Sequence, residues 1–322
     1  MHTERSHRTR TADTGIARSQ VRTRPAAGRI DNYPTRDRAH ASSAAGTTWI
    51  ERTVPTVWSD RADRVPAGYA ERGFGVTEGL LTPAQVQDHW QDLQQMMTDP
   101  AFADDDRLIR EAGSGAVRSV FEVHRISSMI DELIRSPEVL GTAEAILGSE
   151  VYVHQSRVNY MPGFRGTGFY WHSDFETWHA EDGLPHPRAV SLSIALTDNY
   201  PFNGGLMVMP GSHRYFVPCP GATPNDHHRS SLVRQQVGVP AEDDVTAMAA
   251  EFGIEQFTGQ AGSALWFDSN ILHGSGNNIT PYPRSNIFVV FNSVDNAPHA
   301  PFAATRPRPG YIAARDTTAL RG

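Results

Sequence analysis

The chain has 322 residues, 39% of them hydrophobic, which is enough to bury a substantial core in one large or two small domains. Its single cysteine, Cys219, excludes an internal disulfide and any all-thiolate zinc or iron–sulfur site, so a metal would have to be held by His, Asp or Glu. No run of about 18 apolar residues offers a membrane span and no signal-type apolar stretch opens the chain, so a cytoplasmic protein without a membrane partner is expected.

Residues 1–30 carry seven arginines, two acids (Glu4 and Asp13) and no aromatic residue, a composition expected to remain a disordered, Arg-rich extension. The local charge of +5 leaves about −12 for the remainder, which argues against nucleic acid as a partner. An unstructured tail is preferred to a tether. Residues 31–322 are expected to form one domain. Thr82 as N-cap with Pro83 at the first helical position starts a helix, and Val86, Trp90, Leu93 and Met97 share one face of it. Ser136 and Pro137 start a second helix that runs through Val139, Leu140, Ala143 and Ile146 and stops at Gly148.

Helices therefore dominate the first half, and in the second half the period changes. Segments 150–160 (EVYVHQSRVNY), 189–197 (AVSLSIALT), 205–209 (GLMVM), 263–267 (SALWF) and 285–293 (SNIFVVFNS) read as short strands separated by Gly, Pro, Asn and Asp. Short strands behind a helical region predict a mainly β fold, a jelly roll of cupin-like form with helices packed outside. The polar stretch 218–258 is read as a long insertion over one mouth of the barrel.

The densest chemistry lies in FYWHSDFETWHAEDGLP, Phe169 to Pro185. On an extended strand, His172 and Asp174 would point to the same face, where an imidazole nitrogen and a carboxylate oxygen can bind one cation. His273, in WFDSNILHGSGNN, is the most plausible third ligand. Two histidines and one carboxylate leave adjacent positions open, the facial triad of non-haem Fe(II) oxygenases. His-x-Asp alone is as readily a surface pair, and the later His-x-Ser with a following arginine is what favours the metal. His179, His213, His227 and His228 fall at the wrong parity, in a turn, or in the polar insertion, and are left out of the site.

Eleven residues beyond His273, Arg284 shares a strand face with Asn286 and Phe288, while Ile287, Val289 and Phe291 form an apolar set for the outside of the barrel. A buried guanidinium needs an anion, and its planar fork matches the distal carboxylate of 2-oxoglutarate. The alternative partner is a core Asp or Glu. Gln155, Arg157 and Asn159 likewise share a face, which is a polar ligand wall if it points inward and a solvated surface if outward.

With these residues assembled, the chain resembles the phytanoyl-CoA dioxygenase-like superfamily and, within it, is similar to the ectoine hydroxylases. The run His172, Ser173, Asp174, Phe175, Glu176, Thr177, Trp178 carries the likeness, which extends from about Tyr33 to near Pro309. The resemblance implies a double-stranded β-helix holding Fe(II) on His172, Asp174 and His273. It implies 2-oxoglutarate on Arg284 and Ser275, with Asn159, Arg157 and Trp171 nearby, and O2 as second co-substrate. It further implies a pocket for ectoine made by Gln155, Thr177, Trp178, Phe267, Asn286, Phe288 and Phe121. Ectoine is a compact zwitterion with a cyclic amidine and a carboxylate, which suits aromatic walls and a few polar groups. Asp174 favours hydroxylation over halogenation, because a halogenase needs a small residue there to seat the halide. The competing readings are a hydroxylase of another small zwitterion, such as a free amino acid, and a non-catalytic cupin-like metal-binding protein. On base rates a homodimer is the expected assembly.

Overall fold

Capping chemistry sets where the helices begin. In helix Pro83–Thr98 the Thr82 hydroxyl accepts from the Gln85 amide while the Gln85 side chain accepts from the Thr82 amide, so two of the four orphan donors at the helix start are satisfied reciprocally. Leu93 is buried and Val86, Trp90 and Met97 pack beside it, as their spacing requires; His89 and Met96 widen the buried stripe. Helix Pro137–Leu147 is capped by Ser136 and ends at Gly148, whose φ of 62° suits glycine. Between them the sequence reading missed helix Ser128–Arg135, although Ser127 caps it from the same type of position.

The computed structural model describes residues 30–36, 49–102, 104–111, 115–232 and 235–322. Apart from Ile30, the expected disordered extension lies outside them. Within these residues the strands are β1 (Ile50–Glu51), β2 (Phe74–Thr77), β3 (Leu108–Arg110), β4 (Val117–Phe121), β5 (Val151–Met161), β6 (Phe169–His172), β7 (Ala189–Ala195), β8 (Leu206–Val208), β9 (Tyr215–Phe216), β10 (Glu255–Gln256), β11 (Ala264–Asp268), β12 (His273–Ser275) and β13 (Arg284–Ser293). All five strands expected in the second half form. The first half is less helical than expected, because β2, β3 and β4 join the main sheet.

Seven strands in the order β2-β11-β7-β13-β5-β4-β3 make one antiparallel sheet, four in the order β10-β8-β12-β6 make the other, and β1 pairs separately with β9. Only β3, β4 and β5 are neighbours in both chain and sheet; the remaining pairings join strands distant in sequence, and the resulting jelly roll is the expected fold class. Apolar side chains divide into three layers that follow strand parity. Ile287, Val289 and Phe291 leave the outer face of the large sheet and pack against Ile130, Ile134, Val139, Leu140, Ala143 and Ile146 of the helices. Phe267, Phe288, Val290, Leu265 and Val208 fill the inner cluster with Phe175 and Trp178. Met209, Val217, Met248 and Leu272 form a third cluster.

Met248 corrects the reading of 218–258 as an irregular polar insertion. Eleven residues of it, Glu242–Phe252, are helical, with Met248 fully buried. Its N-cap is Ala241, which makes no side-chain cap, so the usual start signal is absent; three acids in the first turn are the remaining mark. No helix among the described residues is long and apolar enough to cross a membrane.

Candidate metal centre

His172 is the last residue of β6 and His273 the first of β12, and the two are directly paired across the antiparallel ladder. Their rings lie 4.2 Å apart, centre to centre. Asp174 is not on the strand as expected: β6 ends at His172 and Asp174 opens the short helix Asp174–Thr177, capped by Ser173. The turn still brings its carboxylate to the histidines, Oδ1 at 3.7 Å from His172 Nε2 and Oδ2 at 3.8 Å from His273 Nε2. One ligand atom from each of the three residues falls within 4.8 Å of the others.

The tautomers are set by backbone carbonyls. His172 Nδ1 donates to Tyr170 O at 2.7 Å and His273 Nδ1 to Ile271 O at 3.1 Å, which leaves both Nε2 lone pairs toward the carboxylate. Burial, followed by the neighbouring His273, pushes the His172 imidazole down to about 4, so it is a neutral donor at pH 7. Ser191 Oγ donates to Asp174 Oδ2 at 3.5 Å. The Ser173 hydroxyl reaches Asn270 Oδ1 and the Phe175 amide donates to Ser269 O, which ties the Asp174 helix to the loop leading to His273. Two imidazoles and one carboxylate, all buried, form a donor set that fits Fe(II) with coordination positions left open.

A cavity between the sheets contains both histidines and is lined by Arg118, Arg157, Asn159, Ser193, Phe267, Ser275, Arg284, Asn286 and Phe288, among others. Arg284, Asn286 and Phe288 thus share the inner face, as their parity requires. The open question about β5 is settled by register: Arg157 pairs with Phe288 and Asn159 with Asn286, so this polar face points inward. Asn286 donates to Ser193 Oγ at 3.1 Å, Asn159 accepts from Ser119 Oγ at 2.9 Å, and Ser275 Oγ accepts from the Phe169 amide at 3.1 Å. Among the described residues Arg284 has no carboxylate partner, and the buried Nε atoms of both Arg284 and Arg157 lack a hydrogen-bond acceptor. Removal from water, reinforced by the charge of Arg118, pushes Arg284 down to about 10. Such orphaned donors are costly unless an anion satisfies them, and a dicarboxylate co-substrate fits that need.

Five expected contacts do not line this cavity. Trp171 faces the opposite side of β6 from His172 and packs with Met209, Val217 and Leu272, because adjacent strand residues alternate faces. Trp178 is buried in the inner cluster, edge-on to His154 at 5.4 Å. Thr177 meets Glu176 and Arg36. Phe121 lies under the Arg157 guanidinium, which stands 5.6 Å from its ring and 4.5 Å from that of Phe288. Gln155 shares the inner face but donates to Ile312 O at 2.7 Å and accepts from Arg157, beside a neighbouring cleft.

The sequence reading also missed the clamp on the metal-bearing segment. From Asp174 to Asp182 it is helical, with a π-helical stretch Trp178–Asp182, and four of its buried side chains are acids. Arg36 binds Glu176 bidentately (2.9 and 2.8 Å) and Glu181 at 2.5 Å, and His227 adds a contact to Glu181 at 2.8 Å. Arg308 binds Asp182 through Nε and Nη2, and His154 lies 3.4 Å from the same carboxylate. Gly238, at φ 76°, leaves room for this: a Cβ there would lie 2.5 Å from Arg36 Nη2. Four acids within nine residues were the available signal, since buried carboxylates must find cations. His179, His213, His227 and His228 all stand outside the metal cluster, as expected. A wider cleft lined by Asp104, Asp226, His228 and Arg306 holds none of the three ligands.

The family model described as phytanoyl-CoA dioxygenase (PhyH) matches residues 69–286. The ectoine dioxygenase of Nocardia farcinica is 59% identical over 292 residues, 91% of this chain and 96% of that protein. That of Streptomyces coelicolor is 52% identical over 297 residues, 90% of this chain and 97% of its own length. Two crystal structures of EctD from S. alaskensis, each 38% identical and covering 91% of this chain, are similar in fold. The one with bound Fe gives a TM-score of 0.79 over 98% of its chain. The other, with 2-oxoglutarate and 5-hydroxyectoine, gives 0.78 over 99%.

Proposed function

The chain belongs to the phytanoyl-CoA dioxygenase family, and we propose that it hydroxylates ectoine to 5-hydroxyectoine with Fe(II), 2-oxoglutarate and O2, releasing succinate and CO2. The observation that carries this reading is the cluster of His172, Asp174 and His273, two of them on a cavity whose arginines have buried nitrogens without partners among the described residues. The similarity to ectoine dioxygenases over about nine-tenths of the chain supports the choice of solute.

Iron and the 2-oxo acid, when bound, supply the activation of O2 and the insertion of one oxygen atom into a C–H bond. The chain supplies position. Nε2 of His172, Nε2 of His273 and the Asp174 carboxylate hold the metal, and the carbonyls of Tyr170 and Ile271 keep each imidazole in the ligating tautomer. Arg284 binds the distal carboxylate of 2-oxoglutarate, with Ser275 and Asn159 beside it. Phe267 and Phe288, with ring centres 5.9 Å apart, lie side by side as an aromatic wall for the delocalised amidinium of ectoine. Asn286, held by Ser193, and Arg157, held over Phe288, orient its polar groups. Apolar walls exclude water, and the site of hydroxylation follows from which C–H bond this wall presents to the metal.

The proposed catalytic domain is residues 31–322, with residues 1–30 an extension outside the chemistry. The proposal includes a cytoplasmic setting, no nucleic-acid partner and, on base rates, a homodimer. The test is release of CO2 from 2-oxoglutarate by the Fe(II)-loaded protein with and without ectoine, with product mass read in parallel. Ectoine-dependent release and a product heavier by one oxygen are expected. Turnover with a free amino acid but none with ectoine would overturn the substrate while leaving the dioxygenase chemistry standing.

A further inference from the structure

A third guanidinium reaches the metal cavity, and nothing in the proposed function uses it. Arg118, on β4, is 3% exposed and lines the same cavity as Arg284. One end of it is committed: Nη1 donates to Glu111 Oε1 at 2.7 Å, to Thr167 O at 2.9 Å and to Thr167 Oγ1 at 2.7 Å. Thr167 Oγ1 in turn donates to Glu111 Oε2 at 2.8 Å. The guanidinium carbon stands 4.1 Å from the centre of the Phe169 ring. Anchored and stacked in this way, the group has little freedom to turn.

The other edge is free. Nε and Nη2 of Arg118 are both buried, and neither has a hydrogen-bond partner among the described residues. The N–H bonds of these two atoms project from the same side of a planar group, and their spacing matches the two oxygens of a carboxylate. We propose that Arg118 is a second anchor for the co-substrate, gripping the distal carboxylate of the 2-oxo acid side-on while Arg284 holds it from β13. Phe169, on which Arg118 stacks, is paired with Ser275, and all three line the cavity together with Arg284. The charge of Arg118 also contributes to the lowering of Arg284, consistent with the two being close neighbours that lack an anion between them. Glu111 neutralises Arg118 on its far edge, so Arg118 would add directed hydrogen bonds more than net charge. The consequence is selectivity for a 2-oxo acid with a second carboxylate at the right distance.

This inference rests on reading the cavity as a 2-oxo acid site, and the experiment separates the two. The Fe(II)-loaded full chain is titrated anaerobically, without ectoine, with 2-oxoglutarate and with 2-oxobutyrate, which has the chelating end but no distal carboxylate. Binding is read from the visible charge-transfer absorption of the iron chelate. Arg118→Lys keeps a charge opposite Glu111 but loses the side-on fork, and the double variant Arg118→Met with Glu111→Met removes the buried pair together, which preserves the fold. In both, the Kd for 2-oxoglutarate should rise about ten-fold or more, the scale of a lost charge-assisted bond, while that for 2-oxobutyrate stays unchanged. Unchanged 2-oxoglutarate affinity, or equal weakening of both acids, overturns the role of Arg118. Unchanged 2-oxoglutarate affinity with a raised KM for ectoine reassigns the fork to the carboxylate of the substrate. If the parent protein gives no absorption with either acid, the proposed function itself fails, and the role of Arg118 falls with it.

Discussion

Replacing Arg36 by Met tests whether the segment carrying Asp174 is held by buried charge. Arg36 and Glu176 have fully buried side chains, and the same guanidinium binds Glu181 and Thr223. Met keeps the approximate length and apolar bulk of the stem but leaves two carboxylates without their cation. Breaking a buried pair by removing one partner costs about 3–5 kcal/mol, a large share of the roughly 5–15 kcal/mol that stabilises a folded protein. At about 2–4 °C per kcal/mol for a chain of this size, Arg36→Met should melt roughly 10 °C below the parent, read by calorimetry or circular dichroism. The triple variant with Glu176→Gln and Glu181→Gln should recover part of that loss, since no uncompensated charge remains. Asp174 lies two residues before Glu176, so the affinity of the single variant for Fe(II) should fall as well. A loss below about 1 kcal/mol, with iron affinity intact, would refute the clamp.

Four further outcomes follow from the same structure. Asp174→Ala should abolish Fe(II)-dependent succinate formation, and full retained turnover would sink the metal assignment. Arg284→Met should raise the KM for 2-oxoglutarate by about 10- to 100-fold, the range for one or two hydrogen bonds to a charged group, with the mass of any product unaltered. Removing residues 1–30 should leave turnover and melting unchanged, whereas removing residues 1–36 deletes Arg36 and should reproduce the instability of Arg36→Met; unequal activity in the first truncation would show that the extension contributes. Burial raises Glu181, but His227 and Arg36 outweigh it and hold the carboxyl at about 2, and Arg308 holds Asp182 well below the usual carboxylate range. Folded values below the unfolded ones mean stability that is complete above about pH 4.5 and is lost as pH falls toward 2; denaturant midpoints measured between pH 6 and 2.5 should decline on that limb only.

How much of this was legible beforehand depended on how local each signal was. The helix beginning after Thr82 could be read because a capping hydroxyl, a following proline and Gln85 act within one turn. The helix at Glu242 could not, because Ala241 offers no capping side chain and its buried Met248 is defined only by what packs over it. The inward face of β13 was legible from period-two alternation, since pleating dictates which side chains share a face. For β5 the same alternation left two answers, and only its pairing with β13 decided that Arg157 and Asn159 point inward.

The centre divides in the same way. His172, Asp174 and His273 were recognisable as a donor set from residue type and spacing, even though Asp174 reaches the site from a helix start rather than from a strand. Residue type and spacing specify the available chemistry: two imidazoles, a carboxylate and an arginine able to meet an anion. Tertiary structure alone decided which other groups complete it. Arg36 and Arg118 are distant in the chain from the dense motif, Ser191 reaches Asp174 from β7, and Trp171, Thr177 and Trp178 sit inside that motif yet do not line the cavity. Proximity along a chain fixes only the direction of near neighbours, whereas a buried charge finds its partner wherever folding places one, and that choice is made by the packing of the whole molecule.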